Sequence, residues 1–192
     1  MKLGKIISAA ALMLASATAF AQGPNYSYVQ GGYQMLTGTD SPDGLFIEGS
    51  YQIADQFYLA GGYDIFSDDF YDVSRLTARG GYIHPMENNI HLYGEAGLAF
   101  TDAEFTFCFL DTCVKGSEDS VDLMIEGGVR AQLAPALEVR GALRMITGDY
   151  DETYLIGEGV YHFNPQLAMV GGLARMSDAG EFRVQAGLRF AF

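Results

Sequence analysis

Apolar side chains recur at every second position along most of this chain. Leu45, Ile47, Gly49, Tyr51 and Ile53 form one row, with Phe46, Glu48, Ser50 and Gln52 between them. Val121, Leu123, Ile125, Val129 and Leu133 alternate with Asp122, Met124, Glu126, Arg130 and Gln132. Leu137, Val139, Leu143 and Met145 alternate with Glu138, Arg140 and Arg144. Phe182, Val184, Leu188, Phe190 and Phe192 alternate with Arg183, Gln185 and Arg189. A period of two marks a strand whose two faces meet different surroundings. The pattern predicts ten strands, over 25–36, 45–53, 57–66, 73–84, 90–100, 120–133, 137–146, 152–163, 167–176 and 181–192. Merging the weaker segments gives eight. The first strand, YSYVQGGYQML, does not fix its own phase, and neither does the chain near Arg175.

The connections alternate in length. IADQF, HPMENN, LAPAL and FNPQL are short and carry the Pro, Asn and Asp of tight reversals. TGTDSPDG, SDDFYD, TDAEFTFCFLDTCVKGSED, TGDYDE and SDAG read as longer polar stretches. Glycine pairs at 31–32, 61–62, 80–81, 127–128 and 171–172 fall inside strands. There they permit bending and close approach of a neighbour, which a narrow closed barrel needs. None opens a helix, so they are not phosphate-binding loops.

The charges decide which face is inside. Arg75, Arg79, Arg130, Arg140, Arg144, Arg183 and Arg189 lie opposite the apolar rows, and so do Glu48, Asp64, Glu95, Asp122, Glu126, Glu138 and Glu158. A solvated sheet face would favour Lys. Beyond residue 21 the only Lys is Lys115. Arg matched to carboxylates in mid-strand suits a confined, partly dehydrated space, where the planar guanidinium makes two-point contacts. The expected fold is therefore all-β, a transmembrane antiparallel up-and-down barrel of ten strands, with eight as the alternative. Its apolar face meets lipid and its lumen is filled by the Arg/carboxylate network. Strands of about ten residues are long enough to cross a tilted barrel wall. Tyr26, Tyr28, Tyr51, Tyr63, Tyr82, Tyr93, Tyr161 and Phe163 lie near strand ends and are candidates for the interfacial aromatic girdles.

The first 21 residues follow another logic. Lys2 and Lys5 form a positive start, Ile6 to Leu14 a short apolar run, and Ala19-Phe20-Ala21 a small-x-small cleavage site. This reads as a secretory signal peptide over 1–21, leaving 22–192 as the barrel domain. The formal net charge of −13 becomes more negative once Lys2 and Lys5 are removed, which excludes nucleic acid as a partner. In an exported chain, Cys108 and Cys113, which enclose FLDT, are expected to form a local disulfide.

The C-terminus carries a resemblance. Gln185-x-Gly187-x-x-Phe190-x-Phe192 resembles the C-terminal signature of bacterial outer-membrane β-barrel proteins. The whole exported chain is similar in kind and size to the small barrels of the OmpA transmembrane-domain, OmpX and Ail type, within the porin-like barrels. The resemblance implies export through the periplasm and recognition of this signature by the barrel assembly machinery. It also implies residence in the outer membrane among lipid and lipopolysaccharide. Two departures stand out: those relatives use eight strands, and nothing after Phe192 corresponds to the peptidoglycan-binding domain of OmpA-like proteins.

Chemistry is sparse. Some small outer-membrane barrels are lipid A-modifying enzymes or omptin-type proteases, which would need His near the outer rim. His84, His91 and His162 all fall beside the short, periplasmic turns, so no catalytic residue is assigned. His84 and His91 flank one turn, but their spacing is not diagnostic of a metal site, and neither metal nor cofactor is expected. The longer connections are rich in Asp and Glu, which reads as a solvated rim able to attract divalent cations. The expected function is a structural or surface-interaction role with a filled lumen; a narrow passive channel is the alternative. An extracellular partner, if there is one, is not identified by any motif.

Overall fold

In the computed structural model, residues 23–37, 42–68, 71–109, 112–148, 151–177 and 181–192 are described. They form ten antiparallel strands: β1 (Tyr28–Thr37), β2 (Asp43–Ala54), β3 (Phe57–Asp68), β4 (Tyr71–Pro85), β5 (Ile90–Phe109), β6 (Thr112–Ala134), β7 (Leu137–Thr147), β8 (Glu152–His162), β9 (Leu167–Met176) and β10 (Phe182–Ala191). Each pairs with the next in sequence, and β10 returns to β1, so the sheet closes. The closing seam runs from Tyr28 opposite Ala191 to Thr37 opposite Phe182. Closure removes both free edges of the sheet through its paired length. The expected leader, 1–21, lies outside the described residues.

The alternation read from the sequence sorts the side chains. Leu45, Ile47, Tyr51, Leu59, Leu123, Ile125, Leu143, Leu155, Leu173 and Leu188 are all exposed on the outer wall. Such a continuous apolar exterior is unfavourable in water and matches the hydrocarbon of a bilayer. The open phase near Arg175 is resolved outward: Arg175 is exposed and lies beside Phe182 on the neighbouring strand.

Two expectations are corrected. Two of the connections at the far end from the chain termini are much shorter than the polar stretches suggested. Strand pairing runs on through SDDFYD and through most of TDAEFTFCFLDTCVKGSED, so that only residues 69–70 and 110–111 separate the strands there. The β5–β6 ladder continues to Phe109 opposite Thr112. β6 meets β7 only from Leu123 onward, whereas β5 stays paired with β4 as far as Phe105, so the β5–β6 hairpin stands clear of both neighbours only beyond Phe105. Hereafter this is the hairpin end, and the end holding the termini is the turn end.

The second correction concerns the aromatics. Tyr51, Tyr63, Tyr82, Tyr161 and Phe163 do face outward. Tyr26, Tyr28 and Tyr93 instead point into the barrel and are buried, as are Tyr58 and Tyr154. The lumen is therefore not purely ionic. Tyr26, Tyr58, Ile83, Tyr93, Met124, Ile146, Tyr154 and Ile156 pack as one apolar cluster within it, and Phe46, Val160, Ala168 and Val170 as a second. Ten strands enclose more volume than seven guanidiniums and their carboxylates occupy, and apolar groups take up part of the remainder. Glycine makes part of this packing possible. A Cβ on Gly81 would fall inside the Tyr58 ring, and one on Gly128 would lie 2.8 Å from Tyr93.

Candidate functional site

The inward positions of all ten strands converge on the lumen, and the ionic groups there fall into three connected levels. At the turn end, Arg130 donates to Glu138 through Nε (2.9 Å) and Nη2 (2.5 Å), and also to the Asn25 carbonyl (3.0 Å). Arg189 joins Glu138 (3.5 Å) to Glu158 (2.7 Å) and donates to Gln30 (2.7 Å). Its guanidinium also sits 4.1 Å above the Tyr28 ring. His162 lies 3.9 Å from Glu138.

In the middle level Glu126 accepts from Arg140, from Arg144 (2.7 Å) and from the Tyr93 hydroxyl (2.6 Å). Arg140 reaches on to Glu158 at 3.7 Å. Across the lumen Arg79 bridges Glu48 and Glu95, both at 3.0 Å. Tyr28 donates to Glu48 (2.8 Å) and Tyr58 to Glu95 (2.6 Å). Charges this deeply buried persist only because each is paired and hydrogen-bonded.

At the hairpin end the pairs loosen. Arg75 meets Glu152 at 2.8 Å and donates to Thr101 at 3.0 Å. Arg183 approaches Asp64 only to 4.0 Å. Of the fourteen ionic residues named on the polar face from the sequence, all but Asp122 make at least one of the ion pairs described in this lumen. Sequence reasoning missed Glu152, which it placed in an acidic loop, and the buried Tyr28, Tyr58, Tyr93 and Tyr154. The signal was present for the tyrosines: Tyr28 shares the phase of Gln30 and Gln34, and Tyr93 that of Glu95. Asp122 is also buried and accepts from Ser120 at 2.7 Å.

Free space in the lumen is larger toward its two ends than in its middle. A cavity of about 520 Å3 enters from the hairpin end and one of about 530 Å3 from the turn end. The space between Arg79, Arg140, Arg144, Arg183, Glu48 and Glu158 is about 30 Å3, room for little more than a water molecule. At the turn end the segment before β1 folds into the mouth. Tyr26 lies beneath the Arg130 guanidinium (4.3 Å) and against Tyr58, and its carbonyl accepts from Ser50 (2.7 Å). Burial pushes the Tyr26 hydroxyl pKa up to about 12, so it stays neutral.

The remaining candidates are placed as follows. In the C-terminal signature Gln185 faces the lumen, donating to Glu158 at 3.4 Å, while Phe190 and Phe192 face outward. Gly187 lies against Gly31 and Gly32 at the seam, where a Cβ would strike the Gly31 carbonyl. Cys108 stands directly opposite Cys113 in the ladder; the side chains that would form the expected disulfide are outside those described. His84 points outward and His91 inward, so the two imidazoles flanking the turn do not converge. His91 instead stacks on Tyr26, with ring centroids 5.9 Å apart.

The sequence profile described as "Outer membrane protein beta-barrel domain" matches residues 7–190. No curated protein matches the chain at the sequence level. Among solved structures the fold is similar to the translocator domain of autotransporter NalP from Neisseria meningitidis, at 8% identity and a TM-score of 0.52, covering 98% of this chain and 96% of that one. Neisserial surface protein A is matched at 15% identity and a TM-score of 0.46, covering 86% of this chain and 96% of the other. Ail, the attachment invasion locus protein of Yersinia pestis, is matched at 14% identity and a TM-score of 0.46, covering 86% and 99%. At these identities the likeness is one of fold.

Proposed function

This chain belongs to the outer membrane protein β-barrel domain family, and from that premise we propose that it is a non-conducting barrel with a structural or surface-interaction role. It resides in the bacterial outer membrane. The observation carrying the proposal is the narrow middle of the lumen, where about 30 Å3 remains among four arginines and their carboxylates. So little free space among paired charges is expected to hold back hydrated ions and solutes. In barrels of this class the short turns face the periplasm, which puts the β5–β6 hairpin outside the cell, where it is available for contact. No enzymatic role is included, because the three histidines lie at the turn end, away from the outer leaflet and its substrates.

The wider reading assigns residues 1–21 to export. It assigns Gln185, Gly187, Phe190 and Phe192 to recognition by the assembly machinery, and lipid and lipopolysaccharide to the apolar wall. Planar-bilayer recording of the folded protein tests the central claim. No steady conductance is expected. Stable unitary openings would replace this reading with that of a narrow channel, for which the two cavities would be the vestibules.

A further inference from the structure

The cavity at the hairpin end has a composition that the closed barrel does not require. Its walls include Leu36, Phe66, Val73 and Met176, and its floor is the Asp64–Arg183 pair together with Arg75, Glu152 and Tyr154. At about 520 Å3 it is of a size that encloses a small organic molecule. Four carboxylates, Asp64, Asp68, Glu152 and Glu181, face two guanidiniums there, so the lining carries excess negative charge.

Within this lining the carboxylates are not equivalent. Glu152 is held by Arg75 at 2.8 Å and by the Tyr154 hydroxyl at 2.8 Å. Asp64 has its guanidinium only at 4.0 Å, the longest ion-pair separation among the described residues, and its side chain remains 22% exposed. Its neighbour on the same face of β3 is Phe66. An acceptor with slack thus lies beside an apolar wall, inside a negative funnel that concentrates cations at its mouth.

We propose that the hairpin-end cavity is a binding site for amphipathic organic cations, with the ammonium or guanidinium group over Asp64 and the apolar body against Phe66, Val73 and Met176. Binding requires no passage through the barrel and therefore goes beyond the closed-lumen reading. It would stand or fall whether or not the protein conducts.

The chain has no Trp, so an indole ligand excited beyond the tyrosine band can be followed by its own fluorescence without background from the barrel. The test uses the full barrel in lipid nanodiscs, with tryptamine as the cation, indole-3-propionate as the anion and 3-methylindole as the neutral control. Saturable tryptamine binding is expected, with both controls at least about tenfold weaker. Asp64→Asn is expected to weaken tryptamine by about tenfold while leaving the heat-dependent gel shift of the folded barrel unchanged. Should that variant fail to fold, Glu181→Gln at the rim gives the same readout with a smaller loss. Equal affinity for all three indoles, preference for the propionate, or tryptamine binding indifferent to Asp64→Asn and Glu181→Gln would each overturn the proposal.

Discussion

The Tyr93 hydroxyl donates to Glu126 at 2.6 Å and accepts from Arg140 Nε at 2.7 Å. One phenol therefore ties β5 to both β6 and β7 inside the barrel. Glu126 is the hub, since Arg140 and Arg144 also converge on its two oxygens. Glu126→Ala leaves two buried guanidiniums without their shared partner. Losing one side of a buried pair costs about 3–5 kcal/mol, whereas Tyr93→Phe, which loses the bonds of one hydroxyl to charged groups, should cost about 1.5–3 kcal/mol. Urea unfolding in lipid, read by the gel shift, checks both. Wild-type stability in Glu126→Ala would mean that the network does not hold the barrel together.

Arg79 and Arg144 line the narrow middle of the lumen. Truncating both removes the atoms that close it and joins the two cavities. Arg79→Ala/Arg144→Ala is expected to show small stable openings in planar bilayers where the natural chain shows none. A silent double variant, with its barrel intact by gel shift, would place the closure elsewhere, in the tyrosine cluster.

The faces of the strands were readable because lipid and lumen impose opposite demands on alternate residues. Ile47 and Arg140 declare their sides without any structure. Three things were not readable, each for a physical reason. Which Arg meets which carboxylate depends on strand register and stagger, and alternation carries no information on either. Apolar lumen residues such as Ile83, Met124 and Ile146 occupy the polar phase, because a filled interior accepts any side chain of suitable volume. The reach of β5 and β6 was hidden by Asp102, Glu104, Glu118 and Asp119. These acidic residues resemble loop chemistry but stand exposed on the continuing β5–β6 ladder, where charge costs little.

Tyr58 lies across Gly81 on the neighbouring strand, in space that a Cβ would enter. Gly81→Ala should therefore displace the ring and strain its hydrogen bond to Glu95. The predicted loss is about 1–3 kcal/mol, as for other overpacked interiors. Tyr58→Ala should be costly alone yet make Gly81→Ala nearly neutral, because the two occupy one volume. Additive losses in the double variant would show that glycine serves backbone geometry there instead of ring packing.

Ile47 lies on the outer wall, opposite Gly31 of β1 and Tyr63 of β3. If this wall meets hydrocarbon, Ile47→Arg should cost about 2–4 kcal/mol, the depth-dependent penalty for a lipid-facing guanidinium. Asp43→Arg, on the same face at the hairpin end of β2, should cost about 0–1 kcal/mol, as expected near the interface. Equal penalties at the two sites would contradict the placement of the membrane along the strands.

Asp102 and Asp119 stand opposite each other in the β5–β6 ladder, toward the hairpin end and past the last residue at which β6 meets β7. A hydrogen bond between the two carboxyls holds the pKa of Asp102 above its ordinary value, with desolvation and the Asp119 charge adding to the effect. A carboxyl whose folded pKa is raised stabilises the fold when protonated. That contribution is present below the ordinary carboxylate value and is lost as pH rises through the raised one. Backbone amides of residues 101–105 and 116–120 should accordingly exchange more slowly in acid, after correction for intrinsic rates, and become less protected as pH rises through the carboxylate range. Asp102→Asn should remove this dependence while leaving the amides of Leu92 to Leu98 unchanged. If the pH response of the hairpin persists in Asp102→Asn, the shared proton between the two strands is not its origin.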